Sequence, residues 1–148
     1  MNRGSDVSPT LDTDLLLRLV LGDIPEQYEI VKSLVTAPGA LYRVTDTAIA
    51  ELVHALLHHY RLSRGQVAEI VRALLADPHL DADRGFLAGV VAVFEHRPSL
   101  SYTDCYLAEE ARSSGNVPLL TFDRKLAAQH DIAQLVASSA RGTPDPRG

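Results

Sequence analysis

Apolar residues recur at helical spacing through most of the chain. The clearest stripe consists of Ile49, Leu52, Val53, Leu56, Leu57 and Tyr60. Another follows Pro25, a residue that favours the first position of a helix, and consists of Ile30, Val31, Leu34 and Val35. The sequence Ser-x-x-Gln at 63–66 has the form of a capping box and opens a further helix. The spacing predicts helices over about 14–21, 25–37, 49–60, 63–75, 83–94 and 103–115, with a short one at 124–130.

Short extended segments lie between these helices. They are VSPTL (7–11), ALYRV (40–44), VPLLTF (117–122) and DIAQLV (131–136), with a possible short strand at 77–81. We interpret VPLLTF as a buried strand. Pro9 weakens the first segment, because proline cannot donate a ladder hydrogen bond. Alternation of strands and helices predicts an α/β fold with a mainly parallel sheet.

Four acidic residues lie at the ends of predicted strands or in the first turns of predicted helices. In open α/β sheets, ligands bind beyond the carboxyl ends of the strands. Asp12 ends the first segment and Asp123 ends VPLLTF, so we expect both at one edge of the sheet. Glu51 falls nearly opposite the apolar stripe of its helix, and Asp104 opens the helix after the loop at 96–101. Each acid alone could instead be a helix cap, a turn residue or part of a solvated face.

Composition narrows the class of protein. The chain has 148 residues, 46% of them apolar, and a net charge of −5. We expect one domain over 7–138 with flexible ends at 1–6 and 139–148. The chain lacks an apolar run of about 20 residues, a signal peptide and a second cysteine beside Cys105, which favours a cytoplasmic protein without a membrane span. The negative charge argues against general polyanion binding, although acids that bind divalent cations can still present a positive site to phosphate.

Four stretches resemble motifs of PIN-domain nucleases, and closely those of the VapC-type toxins of bacterial toxin–antitoxin pairs. They are LDTDLLLRLVLGDIPEQ (11–27), AELVHALLHHYRLSR (50–64), YTDCYLAEEA (102–111) and PLLTFDRKLA (118–127), in family order. The resemblance implies a three-layer α/β/α PIN-like fold and a Mg²⁺- or Mn²⁺-dependent endoribonuclease. It also implies an RNA substrate, a cognate antitoxin protein and a homodimer.

The resemblance assigns a catalytic role to four acids, which are Asp12, Glu51, Asp104 and Asp123. It makes Asp12, Asp104 and Asp123 metal ligands, while Glu51 binds a second ion or orients the attacking water. Carboxylate oxygens suit Mg²⁺ or Mn²⁺, and the number of ions stays open. Thr13, Arg18, Arg124 and Lys125 are candidates for contacts to the RNA. Asp14, where the family usually has Asn, is expected to cap the first helix or to lie just behind the metal ligands.

Other interpretations stay open at this point. Glu51, His54 and His58 share a helical face at a spacing that can bind zinc or iron. The Asp-Thr-Asp run also resembles haloacid-dehalogenase-like phosphatases, in which the first aspartate is a nucleophile. A PIN-domain RNA-processing nuclease without an antitoxin and a non-catalytic binding module on the same fold are further alternatives.

Overall fold

Residues 7–136 are described by a computed structural model. The helices are α1 (Thr13–Leu21), α2 (Pro25–Thr36), α3 (Asp46–His58), α4 (Arg64–Ala76), α5 (Arg84–His96), α6 (Tyr102–Ser114) and α7 (Arg124–Gln129). The strands are β1 (Tyr42–Arg43), β2 (Leu80–Asp81), β3 (Leu119–Thr121) and β4 (Ala133–Leu135). This order confirms a mixed α/β chain that is mostly helical. The ends expected to be flexible, 1–6 and 139–148, lie outside the residues described.

Helix boundaries follow from local capping chemistry. Ser63 and Gln66 form the predicted capping box at the start of α4. Gly22 and Gly115 follow α1 and α6 with left-handed φ values of 61° and 78°, which glycine adopts without a Cβ clash. The N-cap of α1 is Asp12, so the expectation that Asp14 caps this helix is wrong. Asp14 lies inside the first turn instead.

The strands pair in parallel but form two separate sheets. β1 pairs with β2, and β3 pairs with β4. The first extended segment joins β1 through a single bridge, in which Leu11 N–H donates to the Arg43 carbonyl and Arg43 N–H donates to the Pro9 carbonyl. Within 7–136 the two pairs are not joined by strand pairing, so the single central sheet expected from the sequence is not formed. Strands of two or three residues offer few ladder groups, and Pro9 removes one more donor.

The core lies between the helices. α3 packs against α1, α4 and α6, and α5 packs between α4 and α6. The stripe predicted on α3 is confirmed for Ile49, Leu52, Val53 and Leu56, which are all buried, whereas Leu57 is half-buried. Phe94 of α5 is also fully buried and meets the ring of Tyr102 edge-on at 5.7 Å. Apolar side chains on these helices therefore supply most of the buried surface that stabilises the fold.

Two apolar stretches are less buried than the pattern predicts. In α2 only Val31 and Val35 are buried, while Ile30 is 63% exposed. The expectation that VPLLTF is a buried strand is wrong, because Leu120 is 62% and Phe122 is 79% exposed. A buried strand needs cover on both faces, and one side of β3 has none within the part of the chain that the structure describes.

The remaining sequence predictions concern Cys105, Tyr60 and the lack of a membrane span. Cys105 is fully buried, as expected, and burial raises the pKa of its thiol to about 11. Tyr60 lies beyond the end of α3 and accepts a hydrogen bond from Arg18 rather than extending the apolar stripe. Among residues 7–136, no helix is long and apolar enough to cross a membrane.

Candidate functional site

An open cleft lies where the first extended segment ends and α1 begins. Its volume is about 350 Å³. It is lined by Thr10, Leu11, Asp12, Thr13, Thr45, Thr47, Ala48 and Glu51. The cleft therefore combines residues from the first two PIN-like stretches and from the start of α3.

One hydrogen bond connects the two stretches across this cleft. The Thr13 hydroxyl donates to Oε2 of Glu51 at 2.7 Å, over a separation of 38 residues. Thr13 is only 9% exposed, whereas Glu51 lies on the polar face of α3, as predicted. Since α1 packs against α3, the buried hydroxyl holds the Glu51 carboxylate at the rim of the cleft.

Asp12 is the second carboxylate of the cleft. Its Oδ1 accepts the Thr13 N–H at 2.7 Å, so it caps α1 while its side chain stays exposed. Among the described residues, neither Oδ2 of Asp12 nor Oε1 of Glu51 takes part in a hydrogen bond. Each carboxylate therefore keeps one oxygen available to a ligand.

These two carboxylates fit a hard divalent cation in chemical type. Mg²⁺ prefers oxygen ligands and is usually bound through one or two carboxylates together with waters and substrate phosphates. Within 7–136, however, no three His, Cys, Asp or Glu side chains are grouped so that they could hold a metal. The protein part of such a site is thus the pair Asp12 and Glu51, open to substrate.

Asp104 and Asp123 do not line the cleft. Asp104 is half-buried in the first turn of α6, where its N–H donates to the hydroxyl of Ser101, the N-cap of that helix. Asp123 is exposed and caps α7, accepting the N–H groups of Lys125 and Leu126. The expected meeting of Asp123 with Asp12 at one sheet edge is not seen, because β3 pairs with β4 and not with the first segment.

The basic candidates occupy two other places. Arg18 lies toward the end of α1, where it pairs with Asp23 at 3.0 Å and donates to the Tyr60 hydroxyl at 3.0 Å. These partners raise the pKa of Arg18 further. Arg124 and Lys125 are exposed in the first turn of α7, beside Asp123. The structure therefore brings Thr13 to the cleft, whereas Arg18, Arg124 and Lys125 do not line it.

Asp14 faces away from the cleft. It lines a separate cavity of about 420 Å³ between α1 and α2, together with Arg18 and Ile30. Two aspartates that are separated by a single residue therefore serve different surfaces, since Asp12 is the N-cap of α1 and Asp14 lies inside its first turn.

The zinc or iron alternative is not supported by the geometry. The rings of His54 and His58 lie 4.5 Å apart, but they line a different cavity from Glu51. Within residues 7–136, no three His, Cys, Asp or Glu side chains are grouped so that they could hold a metal, and this includes Glu51, His54 and His58.

Sequence reasoning missed a polar pair beside the cleft. The Tyr106 hydroxyl donates to Oδ2 of Asp46 at 2.8 Å, and desolvation together with Asp46 raises the pKa of Tyr106 to about 12. Both residues line a small cavity of about 150 Å³ that shares Thr47 with the cleft. The signal was the Thr-Asp-Thr run at 45–47, directly before the stripe of α3.

Comparisons with known proteins add no assignment. A scan against protein-family models and a search of curated proteins each found no match.

Proposed function

We propose that this chain is a divalent-metal-dependent endoribonuclease with a three-layer, PIN-like α/β/α fold. The observation that supports the proposal most strongly is the hydrogen bond from Thr13 to Glu51. It places the first two PIN-like stretches at one cleft beyond the end of an extended segment. In α/β folds this is the place where ligands bind.

Asp12 and Glu51 would hold Mg²⁺ or Mn²⁺ in this cleft. The chemistry that such a cation supplies is a more acidic water and neutralisation of charge on the phosphate. Thr13 keeps the Glu51 carboxylate in one orientation through its buried hydroxyl. The oxygen of Glu51 that Thr13 leaves free would either bind the cation or accept a proton from the attacking water. In the second case the water oxygen bonds to phosphorus, the P–O bond of the RNA breaks, and the leaving oxygen takes a proton from solvent.

The resemblance adds Asp104 and Asp123 to this machinery, and Arg124 and Lys125 to the RNA contacts. Asp123, Arg124 and Lys125 are consecutive at the start of α7. RNA that binds there would therefore contact all three side chains along one stretch of its backbone. We further propose that the chain acts in the cytoplasm as the toxin of a toxin–antitoxin pair. In that role it would form a homodimer and bind a cognate antitoxin.

The test is cleavage of a labelled single-stranded RNA by the purified protein in Mg²⁺ and in EDTA, with Asp12→Asn as the inactive control. We expect cleavage by the unmodified chain in Mg²⁺ and none in either control. RNA binding without cleavage would instead favour a non-catalytic binding module. Growth arrest on expression, relieved by the product of a short upstream gene, would separate a toxin from an RNA-processing nuclease.

A further inference from the structure

A second cavity lies between α3, the loop before α6, and the start of α6. We call it the α3–α6 cavity, and its volume is about 380 Å³. Its polar lining includes His54, His58, Arg64, Ser101, Tyr102 and Thr103. Neither Asp12 nor Glu51 belongs to it.

The electrostatic character of this cavity is opposite to that of the whole chain. The chain carries a net charge of −5, yet no Asp or Glu among residues 7–136 lines the α3–α6 cavity. Its polar wall consists instead of the Arg64 guanidinium, two imidazoles and hydroxyl groups. The clefts with Asp12 and Glu51, with Asp14 and with Asp46 each include at least one carboxylate. The α3–α6 cavity is therefore suited to an anion.

Two buried polar groups on its wall have no partner. Tyr102 is only 5% exposed, and its hydroxyl makes no hydrogen bond within the described residues. Burial raises the pKa of Tyr102 and the negative charge of Asp46 raises it further, so the hydroxyl keeps its proton and is able to donate. Nε of Arg64 is likewise buried without a partner. Unpartnered buried donors are costly, and each such group in a native fold calls for an explanation.

The Arg64 guanidinium is held rigidly at this wall. Its Nη2 donates to the carbonyls of Phe94, Leu100 and Arg97, at 2.5, 2.8 and 3.2 Å. Its Cζ lies 3.8 Å from the centre of the Phe94 ring. Nη1 takes part in no hydrogen bond in the described part of the chain. The positive charge is thus fixed in place by packing.

The start of α6 adds main-chain donors to the same wall. Ser101, Tyr102 and Thr103 include the N-cap and the first two residues of this 13-residue helix. The first N–H groups of a helix have no partner within it and carry a partial positive charge. The Ser101 hydroxyl is used by the Asp104 N–H, which leaves the N–H groups of Tyr102 and Thr103 without a side-chain cap.

The α3–α6 cavity continues toward the candidate site. Ala50 and Thr103 line both this cavity and the small cavity of Asp46 and Tyr106. Thr47 in turn lines both that small cavity and the cleft of Glu51. The three cavities therefore follow one another along α3 from Glu51 to His54 and His58. At a rise of 1.5 Å per residue, the two histidines lie about 5 and 10 Å from Glu51 along the helix axis.

We propose that the α3–α6 cavity binds a phosphate group of the RNA strand beside the cleavage site. This inference rests on the proposed ribonuclease function. A phosphodiester supplies only acceptor oxygens, and the cavity offers the Tyr102 hydroxyl, the Arg64 guanidinium, two imidazoles and the first N–H groups of α6. An acidic chain needs such a local site, because its overall field repels nucleic acid.

The first experiment tests anion binding without using activity. Inorganic phosphate is added to metal-free protein, and the ¹⁵N-labelled imidazoles are followed by NMR. We expect saturable shifts at His54 and His58 and none at His59, which follows α3 outside the cavity. Absent or non-saturable shifts at His54 and His58 would overturn the proposal.

The second experiment measures binding of a fluorescent single-stranded RNA in EDTA, where a metal-dependent nuclease cannot cleave. We expect Tyr102→Phe and the double variant His54→Ala, His58→Ala each to weaken binding by about threefold to tenfold, the effect of losing a hydrogen bond or two. The salt dependence of log K should become shallower by about 0.7 for a lost phosphate contact. His59→Ala is the matched control and should bind as the unmodified chain does.

Tyr102→Phe also separates this role from a purely structural one. Removing an unpartnered hydroxyl should keep or raise the melting temperature, so weaker RNA binding cannot be attributed to unfolding. An unchanged RNA affinity in this variant and in the double histidine variant would overturn the RNA assignment. Failure of the unmodified chain to cleave RNA in Mg²⁺, with these binding losses intact, would refute the nuclease and leave the phosphate site standing.

Discussion

The two halves of the candidate site are organised differently. Asp12 and Glu51 share a cleft and are connected through Thr13. Asp104 and Asp123 lie at the starts of two separate helices, outside that cleft. The four acids therefore do not form one set within the described residues, although the resemblance places them together.

Of the four acids, Glu51 is the one whose position calls for a functional explanation. Asp12 and Asp123 are helix N-caps, a role that explains an exposed aspartate by itself. Asp104 lies in the first turn of α6, where a negative charge favours the helix dipole. Glu51 has no role of this local kind, and a buried hydroxyl from another element orients it. Glu51 is thus the most informative member of the set.

The largest expected effect comes from removing the charge of Asp12, Asp104 or Asp123. If bound metal and RNA unite the two halves, Asp12→Asn, Asp104→Asn and Asp123→Asn should each lower Mg²⁺-dependent RNA cleavage by at least about a hundredfold. Each variant keeps the shape of the side chain and removes its charge, and rates of cleavage measure the loss. Rates like those of the unmodified chain in all three variants would refute the metal site.

Metal binding at Asp12 and Glu51 should stabilise the folded chain. A cation that binds only the folded state at 100 times its Kd adds about 2.7 kcal/mol to the free energy of unfolding. We expect Mn²⁺ to raise the melting temperature of the unmodified chain and Asp12→Asn to lose most of that rise. In EDTA the variant should unfold at a similar temperature or higher, since Asn caps a helix about as well as Asp.

Thermal unfolding in EDTA and in excess Mn²⁺ measures both quantities, with Asp14→Asn as the control that keeps the full rise. A strongly destabilised EDTA form with an unchanged Mn²⁺ effect would show that Asp12 is a cap alone.

A smaller effect tests the connection between Asp12 and Glu51 directly. Thr13→Val removes the hydroxyl that donates to Glu51. A hydrogen bond to a charged group contributes about 1.5–3 kcal/mol, so we expect cleavage to fall by about tenfold or more. Thr13→Ser keeps the hydroxyl and should retain more of the activity. Equal losses in the two variants would show that the effect does not follow the hydroxyl group, and would refute the role of the hydrogen bond.

The smallest effect concerns Asp14. Asp14→Asn should leave the Mg²⁺ dependence of cleavage unchanged, because Asp14 lines the cavity between α1 and α2. Its only expected cost is the interaction of a first-turn acid with the helix dipole, about 0.5 kcal/mol in the free energy of unfolding. Titrations of activity against Mg²⁺ decide the point, and a variant that needs more Mg²⁺ would place Asp14 near the metal.

The sequence by itself determined the features that depend on neighbours a few residues apart. Helical spacing predicted the buried stripe of α3, Ser63 and Gln66 predicted a capping box, and Gly115 predicted the end of α6. These follow from hydrogen bonds and side-chain positions within one or two turns, which the order of residues fixes directly. The acids at element ends were visible for the same reason.

Contacts between segments that are distant in the chain could be read only from the tertiary structure. The contact between Thr13 and Glu51, the split into two parallel pairs and the exposure of Phe122 depend on packing between segments that are far apart in the chain. An apolar run such as VPLLTF shows the same pattern whether or not a neighbour covers it, so periodicity cannot predict its burial. The Tyr102 hydroxyl and the α3–α6 cavity belong to this class too, because three separate stretches of chain enclose them.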